Sequence, residues 1–74
     1  MGGLTLFQAM KEAIDTAVTE GRVLYVFSRS QGPGYYVSHR WAKGWLFRAY
    51  PGGRKVLSMA GKELVDTAVT EVNP

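Results

Sequence analysis

Residues 22–55 read RVLYVFSRSQGPGYYVSHRWAKGWLFRAYPGGRK, and this stretch decides the fold. It holds eight of the nine aromatic residues and seven basic side chains, but no acidic one. All six acidic residues lie in the two flanking segments, together with Lys11 and Lys62. The middle of the chain therefore carries a charge of +7 and the flanks sum to −4, which gives the net charge of +3.

Short runs of β-branched and aromatic residues in this stretch predict strands. The first run, residues 22–29, has apolar residues at both sets of alternating positions, which predicts a strand that is largely covered. Turn-forming residues separate it from further strands at residues 35–41 and residues 45–50. Residues 54–57 form either a fourth short strand or a lead into the last helix.

The three residues 42–44 predict a hairpin between the second and third strands. In that register one side of the hairpin is mostly apolar, and it bears Val37, His39, Trp41, Trp45, Phe47 and Ala49. The other side bears Tyr36, Ser38, Arg40, Leu46, Arg48 and Tyr50. This second side is basic and rich in tyrosine, which makes it the candidate binding surface.

Both flanks show helical periodicity. Thr5 and Gln8 have the spacing of a capping box, and Gly21 supplies a left-handed stop, so a helix is predicted over residues 5–20. The apolar spacing after Gly61 predicts a second helix over residues 59–72. The chain is then a single α+β domain, residues 1–74. Its order is helix-strand-strand-strand-helix, with both helices packed on one face of a three- or four-stranded antiparallel sheet.

The two predicted helices contain a repeated motif. Residues 11–20 read KEAIDTAVTE and residues 62–71 read KELVDTAVTE, so eight of ten positions match. One interpretation is a duplicated helix that makes equivalent contacts with a partner. The other is that two helices packed on the same sheet face use similar apolar stripes.

Length and composition limit the class of protein. At 74 residues the chain is in a size range where folding buries only about 60% of the unfolded surface. It has no cysteine, which fits a reducing cytoplasm, and a homodimer would relieve the shortage of core. Residues 1–4 lack the basic start of a secretory signal, and no apolar run approaches the roughly 20 residues of a membrane span. We therefore expect a cytoplasmic protein without a membrane segment.

Catalytic chemistry finds little support in these residues. The single histidine, His39, lies mid-strand among apolar neighbours and is expected to be packed. The acidic side chains lie on helix surfaces, where Lys11 with Asp15 and Lys62 with Asp66 are predicted to form i,i+4 pairs. With one histidine and no cysteine, the sequence offers no set of ligands for a metal ion. We expect that the chain is not an enzyme and that it needs no cofactor.

The basic, tyrosine-bearing side of the hairpin is the predicted partner-binding site. Tyrosine and arginine dominate the binding energy of protein interfaces, and they also stack on bases and contact phosphates. A solvated face without a binding role is the third interpretation. The predicted partner-binding residues are Arg29, Tyr36, Arg40, Lys43, Arg48 and Tyr50.

The predicted order of elements resembles the double-stranded RNA-binding domain. Gly32-Pro33 in the first strand loop, and residues 58–69 opening the final helix after a glycine-containing turn, strengthen the likeness. That resemblance implies nucleic-acid binding. The family's lysine cluster at the start of the final helix is reduced here to Lys62, and Tyr35 replaces its histidine, so the binding residues do not carry over.

The chain is also similar in size and style to accessory proteins of phages and mobile elements, including the anti-CRISPR inhibitors. The likeness rests on an amphipathic helix followed by strands such as residues 21–26 and 34–38. It implies a stoichiometric inhibitor that occupies a surface of a host protein or ribonucleoprotein complex. The alternative function is nucleic-acid binding through the same basic face.

Overall fold

The computed structural model of the chain describes residues 3–69. They form one α-helix, five strands and a terminal 3-10 turn: α1 (Leu6–Glu20), β1 (Leu24–Ser28), β2 (Tyr35–Ser38), β3 (Phe47–Ala49), β4 (Lys55–Ser58), β5 (Glu63–Val65) and the turn Asp66–Ala68. An α+β fold with an antiparallel sheet is therefore confirmed. The predicted order with two helices and three or four strands is wrong.

Helix α1 begins and ends where the local chemistry predicts. The Thr5 hydroxyl accepts a hydrogen bond from the Gln8 amide at 3.0 Å, and the Gln8 side chain accepts one from the Thr5 amide at 2.9 Å. Gly21 ends the helix in the left-handed conformation, with φ of 67°, and its N–H donates to the carbonyl of Ala17. One stripe of the helix is buried, at Ala9, Met10, Ala13, Ile14 and Ala17.

Strand β1 is an interior strand of the sheet, whose order is β2-β1-β3-β4-β5. Val26 lies opposite Val37 on one edge of β1 and opposite Phe47 on the other. The predicted hairpin of residues 35–41 with 45–50 is therefore wrong, because β1 lies between these two strands. The many apolar residues of β1 favour an interior position, with a strand paired along each edge, over a pairing set by a nearby turn.

The core lies between α1 and one face of the sheet. Leu24, Val26, Ala49 and Val56 point from alternate strand positions toward Ile14, and each is at most 4% exposed. The opposite side of the sheet, which α1 leaves uncovered, is called the open face. It bears Tyr25, Phe27, Tyr36, Ser38, Arg48, Lys55, Leu57, Glu63 and Val65.

The predicted second helix is wrong as far as the structure describes it. Residues 63–65 form a strand antiparallel to β4, a 3-10 turn follows, and residues 70–72 lie outside the described part of the chain. Leu64 lies opposite Val56, where it packs against the core. The two copies of the repeated motif therefore differ in structure. Both interpretations of the repeat require a second helix, and the second copy is not an α-helix as far as residue 69.

A charge cluster joins the start of this 3-10 turn to α1. The Asp66 carboxylate accepts hydrogen bonds from Lys11 at 2.7 Å and from Arg54 at 3.0 Å, and Arg54 also binds Asp15. These contacts replace the predicted pairs of Lys11 with Asp15 and of Lys62 with Asp66. The hydrogen bond from Lys11 and then that from Arg54 lower the pKa of Asp66, while Asp15 and then Asp66 raise the pKa of Arg54.

This charge cluster predicts an acid-dependent loss of stability. Because the pKa of Asp66 is lowered on folding, its contribution is present above the ordinary carboxyl pKa of about 4 and is lost as pH falls through the folded-state value. We expect Asp66→Asn to lower the free energy of unfolding near neutral pH, and the difference from wild type to shrink in acid. Urea denaturation at several pH values measures this.

The exposed Glu12, on the same helix as Lys11, supplies the control for that experiment. Glu12→Gln should leave the pH profile of stability close to that of the wild type. A constant difference between Asp66→Asn and wild type from pH 7 to pH 3 would show that the Asp66 carboxylate is not held as described.

Candidate functional site

Five aromatic side chains lie near one another on the open face, with Arg48 between the last two, and we call them the aromatic row: Tyr36, Phe27, Tyr25, Trp45 and Tyr50. Tyr36 on β2 stacks on Phe27 of β1, with ring centroids 5.2 Å apart and an angle of 14° between the rings. Phe27 lies 6.4 Å from Tyr25, which meets the edge of Trp45 at 6.0 Å. Tyr50 lies beyond Arg48 at the far end. Tyr25 and Phe27 share this face because they are alternate residues of β1, and Tyr36 lies opposite Phe27 on β2. Trp45 and Tyr50 flank β3, just outside the strand.

Arg48 is held between two rings of the aromatic row. Its guanidinium carbon lies 5.0 Å from the centre of the Trp45 ring and 5.2 Å from that of Tyr50, which are cation–π distances. Its Nε atom is buried and has no hydrogen-bond partner among residues 3–69. The row therefore contains a cation whose hydrogen-bonding capacity the described part of the protein does not use.

Two of the predicted site residues lie together at the outer strand of the sheet. Arg29 and Tyr36 line a shallow groove of about 420 Å³ beside β2, which also reaches Glu12 of α1. Residues Gly3 and Leu4 close one side of the groove, because the Leu4 amide and carbonyl exchange hydrogen bonds with Tyr35. Arg29 and Tyr36 thus form one end of the candidate surface, and Arg48 and Tyr50 form the other.

The other two predicted residues, Arg40 and Lys43, lie on an exposed loop between β2 and β3. Arg40 was predicted on a strand, and Lys43 in the turn of a hairpin that does not form. The Arg40 amide donates to the Ser38 hydroxyl at 3.1 Å. This placement also overturns the prediction of a packed histidine, because His39 is exposed on the same loop. Trp41, predicted on the covered side of a hairpin, is 65% exposed.

The aromatic row contains three residues that sequence reasoning did not assign to the site. Tyr25 and Phe27 occupy the positions of β1 that alternate with its core residues. The sequence signal for them was that β1 has apolar residues at both sets of alternating positions. Trp45 was assigned to the covered side, but it packs against Tyr25 on the open face. Its position follows from the path of the connecting loop, which the predicted hairpin misplaced.

The charges of the open face are more mixed than the sequence indicates. Lys55 pairs with Glu63 at 2.5 Å, which places an acidic side chain on this face. Arg22 and Arg54 are also engaged in ion pairs. The basic residues that form no ion pair with any described residue include Arg29, Arg40, Lys43 and Arg48, and these four belong to the predicted site.

Comparisons with known proteins do not assign a function to the open face. No protein-family model matches the chain, and no curated protein or solved structure is significantly similar to it. Within residues 3–69, no helix combines the length and apolarity that crossing a membrane requires. The same described residues contain no group of three or more His, Cys, Asp or Glu side chains placed to hold a metal ion.

Proposed function

We propose that this chain is a non-catalytic binding protein that docks a protein partner through its open face. The observation that carries the proposal is the aromatic row, with Arg48 held inside it on the side of the sheet that α1 leaves uncovered. Tyrosine, tryptophan and arginine are the residues that contribute most binding energy at protein interfaces. Here they are already packed against one another, so little side-chain entropy is lost on binding.

The exposure of the aromatic side chains favours a protein partner over single-stranded nucleic acid. Bases stack on ring faces that are open to solvent. Phe27 is 5% exposed and Trp45 9%, and the guanidinium of Arg48 lies over the rings of Trp45 and Tyr50. Tyr36 and Trp41 are the more accessible rings, at 46% and 65%. A surface with a packed centre and a few exposed aromatic side chains is suited to shape complementarity with a protein.

The likeness to phage and mobile-element accessory proteins supports an inhibitory role for this binding. In this proposal the protein acts in the cytoplasm, without a cofactor, by covering a functional surface of a host protein or ribonucleoprotein complex. Arg29, Arg40 and Lys43 would increase the rate of encounter with an acidic partner, since complementary charge acts on association more than on affinity. Tyr36, Arg48 and Tyr50 would lie within the contact.

A pair of charge reversals tests the proposed surface. We expect Arg40→Glu combined with Arg48→Glu to lower recovery of the partner at least tenfold in affinity purification from host cells, followed by quantitative mass spectrometry. The reason is that removing a charged interface partner costs about 2–5 kcal/mol when the contact is desolvated. The affinity for the purified partner is then measured directly by calorimetry.

The matched control changes net charge by the same amount away from the open face. Arg22→Glu combined with Lys62→Glu alters two exposed positions, near the end of α1 and between β4 and β5. This variant should bind the partner as the wild type does. Equal affinity of the Arg40/Arg48 variant and the wild type, with the fold intact by circular dichroism, would remove the open face as the docking surface.

Nucleic-acid binding is the second candidate function, and one observation favours it. Tyr36 stacks on Phe27 in a nearly parallel arrangement and is 46% exposed, close to Arg29 in the groove beside β2. An exposed stacked tyrosine near a cation is the type of contact that single strands use. Titration with oligo-dT and with duplex DNA at two salt concentrations tests it, since phosphate contacts weaken steeply with salt. The proposed function predicts no salt-dependent binding.

A further inference from the structure

The geometry of Arg48 points to the chemistry of the partner. The rings of Trp45 and Tyr50 hold the guanidinium from two directions, which restricts the rotation of a normally flexible side chain. A planar guanidinium fixed in this way presents its N–H groups in a defined direction. The sheet therefore carries a pre-organised hydrogen-bond donor, and not a mobile surface charge.

The donor capacity of Arg48 is unused within the described residues. The guanidinium has five N–H donors, and it makes no hydrogen bond or ion pair with any residue from 3 to 69. Its buried Nε atom lacks a partner, which is an unfavourable state in the unbound protein. A planar oxyanion at the edge of the guanidinium would use two parallel N–H groups at once.

The surroundings of Arg48 favour a single carboxylate over a nucleic-acid backbone. A polynucleotide needs several cations along its phosphates. On the same face Lys55 is already paired with Glu63 and is not available to a phosphate. Arg54 is committed to Asp15 and Asp66. One isolated guanidinium between aromatic rings matches one carboxylate whose neighbours are apolar.

We propose that Arg48 is the recognition point for a glutamate or aspartate side chain of a protein partner, and that this acidic residue is flanked by apolar side chains that pack on the aromatic row. This inference rests on the proposed function, because it names the chemistry of the partner at the same surface. The carboxylate takes the terminal N–H groups of Arg48, and the apolar neighbours contact Tyr36 and Tyr50.

Arginine side-chain NMR of the full chain tests the inference directly. The probe is an acetylated hexapeptide that alternates glutamate with leucine, and the control peptide has glutamine in place of glutamate. We expect the Nε–Hε resonance of Arg48 to move with the glutamate peptide and to stay in place with the glutamine peptide. Arg48→Lys keeps the charge but loses the planar fork, so it should weaken binding of the glutamate peptide roughly tenfold. Arg22→Lys, at an exposed position near the end of α1 and away from the open face, should change it less than twofold.

Two further probes test whether Arg48 binds phosphate instead of a carboxylate. Inorganic phosphate and oligo-dT are titrated at matched ionic strength. A larger movement of the Arg48 resonance with either than with the glutamate peptide would overturn the inference in favour of phosphate. The absence of any movement with the glutamate peptide would overturn it as well.

The same variants separate this inference from the proposed function. If Arg48→Lys holds the purified partner as tightly as wild type while the Arg40/Arg48 charge reversal abolishes binding, the docking surface stands and carboxylate recognition fails. If the charge reversal also leaves binding unchanged, the proposed function itself fails.

Discussion

Replacement of Ile14 by alanine is expected to lower the free energy of unfolding by about 2–5 kcal/mol. Ile14 is fully buried, and its stripe of α1 packs on Leu24, Val26 and Val56. The substitution removes apolar contacts and leaves a cavity that a close-packed interior fills poorly. A small domain is stable by only about 5–15 kcal/mol, so this one change removes a large part of the total. Urea denaturation followed by circular dichroism measures it.

Val18 on the same helix provides the matched control, because its side chain is 42% exposed. Val18→Ala should change the free energy of unfolding by about 0.5 kcal/mol or less. If Ile14→Ala is too unstable to fold, Ile14→Val extends the test, with an expected loss of about 0.5–1.5 kcal/mol. Similar losses for Ile14→Ala and Val18→Ala would mean that α1 does not pack on the sheet through the described stripe.

Replacement of Gly34 by alanine is expected to cost about 2–5 kcal/mol, through backbone strain and overpacking together. Gly34 has φ of 106°, which disfavours any side chain. A Cβ atom there would lie 2.5–2.9 Å from backbone atoms of Gly3, and backbone cannot move aside as a flexible side chain does. The substitution should therefore separate Gly3 and Leu4 from β2. Thermal denaturation and amide hydrogen exchange at Leu4 and Tyr35 measure the loss.

Gly32 lies in the same loop and isolates the effect of the close approach. It also has a positive φ, of 77°, but a Cβ atom there would meet nothing within 4 Å. Gly32→Ala should therefore cost only the backbone term, about 1–2 kcal/mol. Equal stability of the two variants, with Leu4 protected from exchange in both, would contradict the described contact between Gly34 and Gly3.

The sequence predicts local structure in this chain better than it predicts which strands pair. Helix α1 depends on short-range signals, namely the capping box at Thr5 and the glycine stop at Gly21, and both are present in the structure. The position of β1 depends on which long-range partners compete for its two edges. The turn-like residues 42–44 favoured a local hairpin, but β2 and β3 each pair with β1 and not with each other.

The C-terminal copy of the repeated motif shows why periodicity alone misled. Residues 11–15 and residues 62–66 differ at two positions, yet the first are helical and the second form a turn and a strand. In the C-terminal copy, β5 pairs with β4, and the Asp66 carboxylate accepts hydrogen bonds from Lys11 and Arg54. Tertiary contacts of this kind override intrinsic propensity, which is weak over a segment of this length.

Alternation along the strands predicted the positions of some residues of the candidate site and not of others. Tyr36 and Arg48 were assigned to one face from strand alternation, and the structure places both on the open face. Arg40 and Trp41 were assigned from a strand that ends at Ser38, so their positions were not predictable from alternation. The contact of Arg48 with Trp45 depends on the loop before β3, whose path no local signal in the sequence specifies.

The interior position of β1 also sets the order in which the sheet can assemble during synthesis. Both neighbours of β1 follow it in the chain, and the second of them, β3, is complete only at Ala49. A nascent chain that ends before this residue holds α1 and a two-stranded ribbon, which is marginal by itself. Closing the segment between β1 and β3 costs chain entropy before any contact compensates for it. We therefore expect this domain to fold only after the segment through β3 has left the ribosome.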